Sequence, residues 1–149
     1  MIMIDLLKLR TSNVQLINNL LEHSDFIDCK PINNYYKSFK QKDGFKIGLH
    51  FRKAKEKGIT VGYGYVDILI SPHYHKNNYL HNGDDFTPLE CINSIESILN
   101  YLNIEKRERT ELQIVNIEFG INIIPSSDVR IIIDGLFFYS RKRFIQKYN

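Results

Sequence analysis

The chain has 149 residues, 43% of them hydrophobic and 25% charged, with a formal charge of +3. That size suits one domain around one core, and the charge excludes a histone-like polycation while suiting nucleic acid or an acidic protein as partner. No apolar run approaches the ~20 residues that cross a bilayer, so no membrane partner is expected.

The start, Met1-Ile2-Met3-Ile4-Asp5, has an acid inside the apolar run and no cationic segment, unlike a signal peptide. A location in a bacterial host's cytoplasm is expected. Ile2 to Arg10 reads as a strand, with Ile4, Leu6 and Lys8 on one face and Leu7 and Leu9 on the other. Ser12 with Gln15 resembles a capping box. Val14, Ile17, Leu20 and Leu21 follow at helical spacing, and the helix is expected to end near Glu22-His23-Ser24.

Asp25 to Asn34 reads as irregular, and Tyr35 to Phe39 as a short strand. After a turn at Lys42-Asp43-Gly44, the residues Phe45, Ile47, Leu49 and Phe51 alternate inward along another strand. Lys53 to Gly58 reads as a charged hairpin loop. Ile59 to Ile70 reads as a long strand, with Gly62 and Gly64 marking a bulge. Thr87-Pro88-Leu89-Glu90 is the clearest local signal: Thr87 caps, Pro88 opens the helix and Glu90 closes the box. Ile92, Ile95, Ile98, Leu99 and Leu102 form its apolar stripe.

Glu105 to Glu111 reads as a solvated connection, Leu112 to Ile124 as a late strand, and Pro125-Ser126-Ser127-Asp128 as the cap of a helix carrying Val129, Ile132, Ile133, Leu136 and Phe137. Two hairpin links in this order predict a single α+β domain spanning 1–149. Its antiparallel sheet has about five strands, with about three helices packed mainly on one face. Cys29 and Cys91 belong to no motif and are expected to be free buried thiols.

Three groups of residues carry chemistry. Ser71 to Phe86 holds three of the five histidines and the acids Asp84 and Asp85. If His73 and His75 lie on a strand, both point to one side and are able to share a divalent metal, with His81 or Asp85 as a third ligand. The simpler reading is a polar loop whose histidines bond locally. Tyr139 and Lys142 have the spacing of a tyrosine nucleophile with a cationic helper. The simpler reading is a helix C-terminus whose Arg141, Lys142 and Arg143 complement the dipole.

The third group is basic and aromatic. Tyr35, Tyr36, Lys37 and Lys40, then Arg52, Lys53, Lys55 and Lys57, then Arg141, Lys142 and Arg143, join His73, Tyr74, His75 and Lys76 as candidate binding residues. Cations neutralise phosphates, and rings stack on unpaired bases. Asp67 and Glu118 are acids in otherwise apolar strands that either face a site or line a wet sheet face.

Met3-Ile4-Asp5-Leu6-Leu7-Lys8-Leu9-Arg10, Ile70-Ser71-Pro72 with Leu80-His81-Asn82-Gly83, and Val115 to Ile123 together resemble the N-terminal region of phage and plasmid replication initiators related to gene II proteins. The resemblance implies a metal-dependent single-strand nickase, with His73 and His75 as ligands and Tyr139 as nucleophile. Tyr74 departs from the usual aliphatic middle residue, and Pro72 interrupts the strand. The short, Asn-, Ile- and Lys-rich chain also looks like small anti-CRISPR proteins of Bacteroidetes mobile elements. That likeness implies a binding protein without cofactor or turnover, whose partner is a type VI-B RNA-guided ribonuclease, its guide RNA, or both.

Overall fold

A computed structural model of the chain describes residues 2–29, 37–41, 47–80, 84–121, 128 and 130–131. The first strand, β1, runs over Ile2–Thr11. Its alternation breaks once, because Ile4 pairs with Phe119 while Leu6 pairs with Glu118, leaving Asp5 as an extra residue. The bulge returns Ile4 to the side of Leu7 and Leu9, where it packs on the core. The expected grouping of Ile4 with Leu6 is therefore corrected.

Helix α1 spans Val14–Leu21. Its cap is Asn13, one residue later than expected. The Asn13 Oδ1 accepts from the amides of Gln15 and Leu16 at 2.9 and 3.1 Å. Thr11 still belongs to β1, and its hydroxyl accepts from the Asn13 amide, so the turn begins after Ser12. Leu16, Ile17 and Leu20 are buried, whereas Val14 lies outside the stripe.

Strand β2 occupies Ile27–Cys29, inside a stretch that reads as irregular. Strands β3 (Lys37–Gln41), β4 (Gly48–Glu56) and β5 (Ile59–Ile70) follow. The expected charged loop after Arg52 is mostly strand. Only Lys57 and Gly58 connect β4 to β5, both with positive φ, 47° and 83°. A two-residue turn of that handedness matches the natural twist of a hairpin. Gly58→Ala is expected to lower stability by about 1 kcal/mol, read as a shift in urea midpoint at constant slope. The bulge expected near Gly62 and Gly64 is present: the register jumps between Arg52 and Lys53 and again between Ala54 and Lys55.

Helix α2 is short, Pro72–Lys76, and α3 spans Pro88–Tyr101. The predicted capping box is formed. The Thr87 amide donates to Glu90 Oε2 at 2.7 Å, and the Glu90 amide donates to Thr87 Oγ1. Of the expected apolar stripe, Ile98, Leu99 and Leu102 are buried and Ile95 packs on the core, and Ile92 alone departs. Cys91 and Ser94 are buried with Ile98 and Leu99, while Ile92 faces outward. Phe86, fully buried beside Cys91, draws that edge of the helix inward.

A 3-10 turn at Lys106–Glu111 leads into β6, Gln113–Ile121. Asp128 accepts from the Arg130 amide as a capping residue does. The remaining residues of the expected last helix lie outside the described residues.

The strands form one sheet in the order β2-β3-β4-β5-β1-β6, with every neighbouring pair antiparallel. Leu7, Leu9, Leu49, Phe51, Val66, Ile68 and Ile70 point to one face and pack against Leu16, Ile17, Leu20, Ile98, Leu99 and Leu102. The α+β class with helices on one face is thus observed, with six strands among the described residues.

Candidate nucleic-acid interface

The opposite sheet face follows from the same alternation. If Leu7 and Leu9 point to the core, then Lys8 and Arg10 point away from it. Cross-strand register then places Asp67 beside Arg10, and Tyr65 beside Arg52. Arg10 grips Asp67 with two hydrogen bonds, Nε to Oδ1 at 2.6 Å and a terminal NH2 to Oδ2 at 3.0 Å. The same guanidinium lies 4.0 Å from the Tyr65 ring centroid. The hydrogen bond to Asp67 raises the Arg10 pKa above its ordinary value. Asp67 thereby holds a planar cation over an aromatic ring on a half-exposed surface. Sequence reasoning missed Arg10 and Tyr65, although the alternation of β1 contained the signal for Arg10.

Lys37 pairs in register with Arg52, so β3 extends the same row; Lys37 and Lys40 are described in backbone only. Beyond Arg52 the β4–β5 hairpin carries Lys53, half-buried, and the exposed Lys55 and Lys57. Tyr35, Tyr36, Tyr139, Arg141, Lys142 and Arg143 lie outside the described residues, as does His81.

The histidine segment is built differently from expectation. His73-Tyr74-His75 lies on α2, where residues two apart point about 200° away from each other. His73 is fully buried, so its assignment to a binding surface is corrected. Its ring stacks on Phe86, with centroids 4.6 Å apart, and its Nε2–H donates to Asp84 Oδ1 at 2.7 Å. The Nδ1 atom is buried with no hydrogen-bond partner.

His75 uses other partners, Tyr79 at 2.7 Å and Ser97 at 3.1 Å. Burial lowers the His75 pKa and raises that of the Tyr79 phenol. The two imidazoles therefore belong to separate networks, and the strand geometry that would let them share an ion is not the geometry found. Among the described residues, no three His, Cys, Asp or Glu side chains cluster as a metal would require.

Lys76 is likewise drawn inward in charge. Its ammonium reaches Asp84 at 3.3 Å, Glu90 at 3.1 Å and the Asp85 carbonyl at 2.8 Å. Asp84 collects Asn77, His73 and Lys76, which tie α2 to the start of α3. This cluster is a latch between two helices, leaving the cationic sheet face and hairpin as the exposed chemistry. Cys91 is a free thiol whose pKa burial raises, as expected of a packing cysteine.

The latch predicts an acid response. Hydrogen bonds, first from Asn77 and then from His73, hold the Asp84 carboxyl well below its usual range; bonds from Thr87 do the same for Glu90. A carboxyl depressed in the folded state stabilises fully above its unfolded pKa, about 4, and loses that contribution as pH falls below it. The lowered His75 pKa acts in the same direction, since folding favours its neutral form. Thermal midpoints should therefore fall steeply below about pH 4. Asp84→Asn with Glu90→Gln should flatten that acid limb, and an unchanged slope would show the latch to be energetically idle.

Among the described residues no helix is long and apolar enough to cross a membrane. Comparison with protein-family models, with curated proteins and with solved structures finds no match to this chain.

Proposed function

We propose that the chain is a non-catalytic binding protein of a phage or mobile element, inhibiting an RNA-guided ribonuclease of the type VI-B class by engaging the effector, its guide RNA, or both. The observation that supports it is the sheet face on which Arg10, held by Asp67, lies against Tyr65, with Arg52 alongside and the lysines of the β4–β5 hairpin beyond. Lysines and arginines of this kind take phosphates, and a presented tyrosine ring stacks on unpaired bases. The anti-CRISPR assignment rests on the sequence likeness; the surface supplies the chemistry that such a role needs.

The nickase alternative requires His73, His75 and Tyr139 around one ion. The first two sit in separate hydrogen-bond networks, so that reading has no geometric support at α2. Affinity capture of the tagged chain against a type VI-B effector, with and without guide RNA, tests the proposal. Association at micromolar concentration together with loss of target-RNA cleavage is expected. Absence of association in both arms ends it.

A further inference from the structure

Strand β6 closes the sheet, and among the described residues it pairs on one side only, with β1. Exposed strand edges invite pairing with another chain, and proteins usually blunt them with lysine, proline or short length. Gln113–Ile121 is nine residues long, contains neither lysine nor proline, and has Glu118 as its single charge. It also shows apolar side chains to solvent: Ile114 is 63% exposed, Val115 43% and Phe119 63%.

Register fixes where these groups lie. Ile114 pairs with Leu9 and Phe119 with Ile4, so both stand on the helix side of the sheet. There Phe119 borders an apolar cleft of about 260 Å³ with Ile4, Phe86, Cys91, Ile92 and Ile95. Of that lining, Ile92 of α3 is itself 57% exposed. Edge and flank together form one continuous apolar border.

We propose that this border is the seam of a homodimer, in which β6 of a second copy pairs antiparallel with β6 about a two-fold axis through Ile117. The strand is self-complementary in that register. Asn116 falls opposite Glu118 of the second copy, an amide donor against a carboxylate acceptor. The same chemistry already joins them within one chain, where Asn116 Nδ2 donates to Glu118 Oε1 at 3.2 Å. Val115 falls opposite the second copy's Phe119, apolar against apolar. Other symmetric registers are worse. An axis through Glu118 opposes two carboxylates, an axis through Asn116 sets Ile114 against Glu118, and an axis through Phe119 leaves Gln113 to Asn116 unpaired.

An axis normal to the sheet keeps both helical layers on one side. The two cationic faces then become contiguous, doubling the surface available to a nucleic acid.

The test uses the full chain. Light scattering at about 100 µM should give twice the 17.6 kDa chain mass, because dimer population follows concentration. Val115→Lys with Phe119→Lys should yield monomer with an unchanged circular dichroism spectrum. Register is read by mixing Asn116→Cys with Glu118→Cys chains under oxidation; the mixture should crosslink well beyond either variant alone. A monomeric native chain at that concentration overturns the proposal and means that the chain's later residues or another protein cover the edge. A dimer that survives both lysines, or that gives no mixed crosslink, equally overturns it by locating the seam elsewhere.

Discussion

Phe51→Ala should lower the free energy of unfolding by about 3–5 kcal/mol, a large part of the 5–15 kcal/mol typical of a domain this size. Phe51 has 0% exposure, lies at the centre of the sheet on β4, and packs its ring 5.5 Å from that of Tyr63. Truncation removes the transfer energy of the ring and leaves a cavity between sheet and helices that the surrounding strands are unable to close. Urea denaturation reads the loss as a shifted midpoint with the slope preserved. Phe119→Ala is the internal control: the same chemical change at a 63% exposed site should cost about 0.5 kcal/mol or less in dilute protein. Equal losses at the two positions would mean that the core is elsewhere.

The second large effect concerns binding. Lys53→Glu with Lys55→Glu reverses two charges on the hairpin and takes the formal charge from +3 to about −1, two units per reversal. Affinity for a single-stranded RNA oligonucleotide should fall on the order of 100-fold, about tenfold for each phosphate that is no longer neutralised. The dependence of log affinity on log salt should shallow by about one for each cation removed. Tyr65→Ala should weaken the same RNA by about 1–3 kcal/mol while leaving the salt slope in place, because stacking releases no counterions. If both variants bind as the native chain does, the sheet face and hairpin are not the interface. Fluorescence anisotropy across a salt series separates these outcomes.

Local signals in the sequence were reliable wherever one residue type has one cheap solution. Thr87, Pro88 and Glu90 announce the start of α3, and all three act as their chemistry requires. The alternation of Ile47, Leu49 and Phe51 identifies the buried face of β4, since period two has no other outcome on a strand. The bulge at the glycines of β5 was equally legible. What failed were readings that depend on a neighbour. Asp5 bulges because β6 pairs with β1 out of step, and that shifts Ile4 to the core. Ile92 faces outward because Phe86 turns α3 toward Cys91 and Ser94. His73-Tyr74-His75 reads as a strand or a polar loop and is instead a short helix, tied by His73 to Asp84, eleven residues on.

While β2 and α2 went unannounced, the sequence by itself determined the class of this protein, the order of β1, α1, β3, β4, β5, α3 and β6, the start of α3 and the net cationic charge. These depend on periodicity, on capping chemistry and on charge, which act over a few residues. Tertiary structure alone decided that Arg10 and Tyr65 meet, that Asp67 holds the guanidinium there, that His73 is buried and that β6 is an edge strand among the described residues. The strand outcomes follow from register, which brings together residues more than fifty positions apart and leaves no trace in local spacing; the burial of His73 follows from its ring stacking on Phe86 once α2 packs against the start of α3.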